Sequence, residues 1–182
     1  SVPAMDTNTP APPKQRLFVD MDGTLTKFID QAETPDALLQ PGYFETLPPQ
    51  QNVVDMVKQA MQKDDLDVYV FSAALNIPTA IPEKNAWLDQ HLPEIDQDHR
   101  VFVENGCRKS LSVPGGLRKT DILLDDYSRN LHDWAEAGAI GVKLLNDINN
   151  THGTWTNSEN LLERTAVNYT DAPEAMLKNH AS

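Results

Sequence analysis

The 182-residue chain has a single cysteine, Cys107. One thiol excludes an intrachain disulfide and any multi-cysteine zinc site. It fits a reducing compartment, so a cytoplasmic location is expected. Cys107 has no obvious His partner and reads as a passive thiol. His91, His99, His132 and His152 show no metal-ligand spacing. Long hydrophobic runs are missing too: no stretch approaches the roughly 20 apolar residues that a membrane span needs, and no membrane partner is expected. Cations are scarce, with 15 Lys and Arg against 27 Asp and Glu and a net charge of -12. That balance disfavours a nucleic acid polymer, whose phosphates are bound by clustered cations. It leaves room for a small phosphorylated substrate held by a metal and a few local cations. The start, Ser1 to Gln15, lacks a basic region followed by an apolar one, so no secretory signal is expected. With four prolines and almost no large apolar residue, residues 1–15 read as a disordered leader.

The rest is patterned for one domain. Leu17-Phe18-Val19 is a short apolar run breaking into the polar turn Asp20-Met21-Asp22-Gly23-Thr24, which predicts a buried strand and a loop. The segment from Lys27 to Gln50 is irregular and carries Pro35, Pro41, Pro48 and Pro49. Val53, Val54, Met56, Val57, Ala60 and Met61 repeat at helical spacing, with Asn52 the expected cap. A second strand is predicted at Asp67–Phe71, ending at Ser72, and a helix at Pro82–Leu92 with Pro82 at its first position. A third strand falls at Val101–Val103 and a fourth at Asp121–Leu124, ending in Asp125-Asp126. Ser128 is the expected cap of a helix bearing Leu131 and Trp134, closed by Gly138. The fifth strand is Ile140–Leu145. Strands alternating with helices predict an α/β, Rossmann-like parallel five-stranded sheet with helices on both faces. Residues 16–160 form this core. The tail, residues 161–182, carries no strong pattern, and a terminal helix is expected there.

Open parallel sheets place their sites at the carboxyl ends of the strands. Here those ends carry Asp20 and Asp22, then Ser72, then Asp125 and Asp126. Lys84 and Lys109 lie between the second and fourth strands. Two like charges about 4 Å apart cost roughly 4 kcal/mol at an effective dielectric of 20. A hard divalent ion relieves that repulsion, and an all-oxygen ligand set suits Mg²⁺. A hydroxyl and an ammonium then face a phosphate, with N–H groups of the turn at Gly23 as further donors. Of Asp20 and Asp22, one can attack phosphorus while the other exchanges protons. Lys84 also sits beside Glu83 on a helix, where a plain solvated face is the alternative.

Asp20-Met21-Asp22-Gly23-Thr24-Leu25-Thr26 resembles the first motif, DxDGT(L/V)T, of haloacid dehalogenase superfamily phosphatases. Ser72, a lysine and Asp125-Asp126 follow in that superfamily's order. Asp67–Ser72, Pro82–Trp87 and Asp121–Asp126 look like the 5'-nucleotidase type C group, which includes the 5'(3')-deoxyribonucleotidases. The resemblance covers roughly Arg16 to Trp155. It implies that Asp20 is the nucleophile, forming an aspartyl-phosphate, and that Asp22 is the acid and base. It implies Mg²⁺ held by Asp20, the Asp22 carbonyl and Asp125, and phosphate bound by Ser72, beside the N–H groups at Gly23 already singled out. Lys109 is the implied motif lysine, although Lys119 is nearer to Asp125 in sequence. Phe28 is implied to contact a nucleobase, and residues 28–48 to form a small cap. One hydroxyl of the group's usual Thr-Ser pair is missing, because Ala73 follows Ser72. The implied partner is a nucleoside monophosphate, with a homodimer left open. A general small-molecule phosphatase and a non-catalytic phosphate-binding protein are the competing functions.

Overall fold

The computed structural model describes residues 13–28, 35–145 and 166–168. Most of the expected leader, residues 29–34 of the expected cap, residues 146–160 of the core and most of the tail lie outside the described residues. The central strand is β1 (Gln15–Val19), with Leu17, Phe18 and Val19 fully buried. It pairs in parallel with β2 (Leu66–Ala74) and β4 (Ile122–Asp125), so Val19 lies opposite both Val70 and Leu124. Outside these come β3 (Arg100–Glu104) and β5 (Ile140–Leu145).

All five expected strands form, and a sixth extends the sheet. Strand β6 (Ala166–Asn168) pairs in parallel with β5, giving the order β3-β2-β1-β4-β5-β6. These three residues fall in the tail where a helix was expected. A strand there satisfies the backbone groups that β5 would otherwise leave bare at the sheet's edge.

The strand alternation divides the core into two layers. Leu17, Val19, Val68, Val70, Ile122 and Leu124 pack on α1 (Gln51–Met61) and α2 (Ala80–His91). Phe18, Phe71 and Leu123 pack on Leu131 and Trp134 of α3 (Ser128–Glu136). No helix among the described residues is long and apolar enough to cross a membrane.

Three helix starts differ from the pattern. Gln50, not Asn52, precedes α1; its carbonyl accepts from the N–H groups of Val53 and Val54. The Gln50 side chain is instead drawn to the Gly23 carbonyl at 3.1 Å. Helix α2 begins two residues before Pro82, which still lies in the first turn, where N–H groups have no intrahelical partner. Ser128 does not cap α3, because its hydroxyl accepts from the Lys143 ammonium. Gly138, at φ 98°, closes α3 as expected.

The excursion after β1 closes where Thr26 bridges Pro49, just ahead of α1. It holds a short 3-10 helix, Pro35–Leu39, and then a run of turns. Helix α2 fastens it: Glu83 accepts from the N–H groups of Phe44 and Glu45, and the Trp87 indole donates to Leu47 O at 2.8 Å.

Candidate active site

Register sets the floor of the site. Asp20 directly follows β1, and its N–H donates to Leu124 O at 2.9 Å, so it stands beside Asp125 at the end of β4. The chain then turns at once: the N–H groups of Thr24 and Thr26 both reach back to Met21 O. Gly23 adopts φ 83° in that turn, in the left-handed region that glycine enters without penalty. A side chain there has no room, since a Cβ would lie 2.1 Å from Asp126 Oδ2. The Asp126 carboxylate thus sits against the motif turn.

Lys109 is buried and donates to Asp20 Oδ1, Asp125 Oδ2 and Phe71 O, each at 3.0 Å. Burial opposes its charge, but the carboxylates of Asp125 and Asp20 outweigh it, so the ammonium titrates above the ordinary lysine range. Asp20 goes the other way for a carboxyl: burial first, and then the charge of Asp125, push it up to about 7 against the pull of Lys109. The Thr24 hydroxyl donates to its second oxygen at 3.2 Å. Asp125 is engaged by Lys109 and Asn130 at Oδ2 and by Tyr127 N–H at Oδ1.

Lys84 is no solvated face. It is fully buried, pairs with Asp22 Oδ2 at 2.6 Å and donates to Ser72 Oγ at 3.2 Å. The Phe44 ring lies 4.9 Å from its ammonium. Lys119 is exposed and does not line the cavity. Lys143 donates to the Asp126 carbonyl at 3.1 Å.

The structure therefore gathers Asp20, Asp22, Gly23, Ser72, Lys84, Lys109 and Asp125 at one strand edge. A cavity of about 520 Å³ opens above Asp20, Asp22, Lys84 and Lys109, walled by Phe28 and Phe44. The Phe28 ring meets Tyr43 edge-on, with centroids 6.3 Å apart. Asn130, Lys143 and the role of the Thr24 hydroxyl went unread in the sequence, although Asn130 follows Asp125 by little more than a helical turn.

A hard cation suits the donors present. Asp20, Asp125 and Asp126 each offer an oxygen within 4.8 Å of the others. The buried Asp22 Oδ1 accepts no hydrogen bond. Gly23 leaves open the space that Asp126 uses. All these donors are oxygens, the preference of Mg²⁺.

Comparison with known proteins bears on the family and the fold. The family model "5' nucleotidase, deoxy (Pyrimidine), cytosolic type C protein" matches residues 36–167. That match spans Ser72, Lys84, Lys109 and Asp125-Asp126 but begins after the Asp20–Thr26 motif. Two staphylococcal proteins carry the name "Putative 5'(3')-deoxyribonucleotidase". The one from Staphylococcus epidermidis RP62A is 31% identical over 96 residues, 53% of this chain and 48% of its own length. The one from Staphylococcus aureus Mu50 is 32% identical over 96 residues, 53% of this chain and 47% of its own. The chain thus spans about half the length of the curated relatives it matches. Among solved structures, D,D-heptose 1.7-bisphosphate phosphatase from B. bronchiseptica, complexed with magnesium and phosphate, superposes with a TM-score of 0.62 at 14% identity. It covers 90% of this chain and 98% of its own. A chain of the Pnkp1/Rnl/Hen1 RNA repair complex gives 0.52 at 15% identity, covering 79% and 46%. At such identities these two likenesses speak to the fold.

Proposed function

The chain belongs to the 5' nucleotidase, deoxy (pyrimidine), cytosolic type C family, and on that premise we propose that it is a Mg²⁺-dependent phosphomonoesterase acting on nucleoside monophosphates. The observation that carries this reading is the meeting of Asp20, Lys109 and Lys84 on the floor of one cavity, with Ser72 directly beneath Lys84 at hydrogen-bond distance. An oxygen of Asp20 attacks phosphorus, the ester P–O bond breaks, and Asp22 gives its proton to the departing alcohol. Asp22 then takes a proton from water, the hydroxide displaces Asp20 from phosphorus, and inorganic phosphate leaves. Lys109 neutralises charge on the phosphoryl oxygens and Ser72 orients them.

Asp20, the Asp22 carbonyl, Asp125 and Asp126 would hold Mg²⁺, which supplies positive charge to the phosphoryl oxygens when bound. Asp126 joins the set that the resemblance implies because its carboxylate lies over Gly23 and the oxygens of Asp20, Asp125 and Asp126 fall within 4.8 Å of one another. Asp125 also orients Lys109. Segment 28–48 acts as the cap, with Phe28 and Phe44 as its apolar wall toward a nucleobase. A cytoplasmic location accords with the word cytosolic in the family's description.

Phosphate release from a panel of nucleoside monophosphates and sugar phosphates, with Mg²⁺ and with chelator, tests the reading. An aromatic stacked on a base contributes about 1–3 kcal/mol, so nucleotides should exceed sugar phosphates by roughly ten- to a hundredfold in kcat/KM. Phe28→Ala should remove most of that preference. Equal rates across the panel would leave a general small-molecule phosphatase. Full activity in chelator would remove the metal, and no release from any monoester would leave a phosphate-binding protein.

A further inference from the structure

Lys109 has an exacting position on an unpromising support. It begins a single 3-10 turn, Lys109–Leu111, inside the connection of residues 105–121 between β3 and β4. Gly106, Gly115 and Gly116 in that connection all have positive φ. One turn of 3-10 helix has little stability of its own. Its buried ammonium must nevertheless reach three acceptors at 3.0 Å.

What holds the turn comes from another element. Asp133, on α3, accepts from the Ser110 N–H at 2.9 Å, from the Ser110 hydroxyl at 2.8 Å and from Arg108 Nε at 2.8 Å. These donors belong to the residues on either side of Lys109. Helix α3 is itself fixed, because the next residue, Trp134, is fully buried and donates to Asp121 O at 3.1 Å. Burial works against the charge on Asp133, yet the bonds from Ser110 and Arg108 outweigh it and hold the carboxyl below its usual range. An ionised, fixed carboxylate grips the backbone beside the phosphate-binding lysine.

We propose that Asp133 is a positioning residue for Lys109: by holding Arg108 and Ser110 it sets where the ammonium stands, and so how tightly the site holds a phosphoryl group. This inference rests on the phosphatase reading. Asp133 itself exchanges no proton with substrate. Asp133 and Arg108 also line the cavity, so the signature of positioning is that the effect of Asp133 depends on Lys109 being present.

A double-mutant cycle tests it. The dissociation constant of inorganic phosphate in Mg²⁺ is measured by calorimetry, and kcat and KM on a phosphomonoester are measured beside it. The proteins are the parent, Asp133→Ala, Lys109→Met and the double variant. Asp133→Ala should weaken phosphate about tenfold, about 1.4 kcal/mol, the scale on which coupled neighbours interact. In the Lys109→Met background the same change should cost less than about twofold, because the group being positioned is gone. An equal loss in both backgrounds, or unchanged phosphate affinity, overturns the proposal. If Asp133→Ala does not fold, Arg108→Met combined with Ser110→Ala removes two of the three bonds. That variant should weaken phosphate in the parent background and not with Lys109→Met. A parent that neither binds phosphate nor hydrolyses the ester overturns the phosphatase reading itself, a result distinct from a parent that works and is indifferent to Asp133.

Discussion

The two edges of the sheet treat charge in opposite ways. At the amino edge, opposite charges are matched. Arg16 and Asp121 form a buried two-point pair at 2.8 and 2.6 Å, and Arg16 donates further to the carbonyls of Pro114 and Gly116. There too, the His99 ring lies between Asp67 and Asp96, at 2.8 and 2.7 Å. At the carboxyl edge, carboxylates crowd together. Asp20 is pushed up to about 7, and Asp22 Oδ1 is buried without a hydrogen bond. One edge holds the fold together, and at the other four carboxylates outnumber the two lysines that pair with them, an excess of the kind a working site keeps at the expense of stability.

Removing a charge should therefore have opposite consequences at the two edges. Asp20→Asn keeps the shape and removes the nucleophile, so phosphate release should fall to background. The same substitution should make the metal-free protein harder to melt at pH 8. The native state keeps a proton on Asp20 from about pH 4, the unfolded value, up to about 7, so metal-free stability declines as pH rises through that window. Melting curves from pH 4 to 8 should show this decline in the parent and its flattening in the variant. Turnover near the parent's would remove Asp20 from the mechanism.

At the opposite edge, Arg16→Met strands a buried carboxylate. Breaking such a pair costs about 3–5 kcal/mol, readable from the denaturant midpoint at constant m-value. A loss under about 1 kcal/mol would put the pair in the class of surface bridges and dissolve the contrast.

The smallest effect belongs to His99. A carboxylate at each ring nitrogen calls for the imidazolium, and although burial works against the charge, the bonds to Asp96 and Asp67 raise the pKa. The raised value means that the stabilisation is complete below about pH 6.5 and fades as pH rises through the folded value. The gap in Tm between parent and His99→Gln should accordingly shrink from pH 6 to pH 9. A constant gap would mean that the ring acts by packing on Tyr69, 4.6 Å away between centroids.

The strands were legible because each is a short apolar run broken by charge, and the break itself marked the site. Asp20, Asp22, Ser72 and Asp125 needed only that rule. Lys109 was legible only as one of two lysines between the second and fourth strands, and resemblance singled it out, since nothing in a Gly-containing loop says where an ammonium will point. Lys84 read equally well as surface. Its burial depends on α2 turning that face under the Phe44 ring, a tertiary fact that helical spacing does not encode. Strand β6 is three residues long, too short for any period to show. Asn52 looked like the cap of α1 because local preference favours Asn, but the long-range bond from Gln50 to Gly23 O decided the start. The grip of Asp133 on Ser110 joins residues 23 positions apart and leaves no mark on local pattern.

Gly23 gives the crowded edge a further meaning. Its two hydrogens stand where any other residue would carry carbon, and Asp126 Oδ2 occupies that place. The position works as an allotment of volume: the chain forgoes one side chain so that another, distant in sequence, can enter. Drift at residue 23 is therefore confined by a neighbour it never meets in the primary structure. A gain of one methyl group there is a change at Asp126, and the history of the two positions has to be told as one.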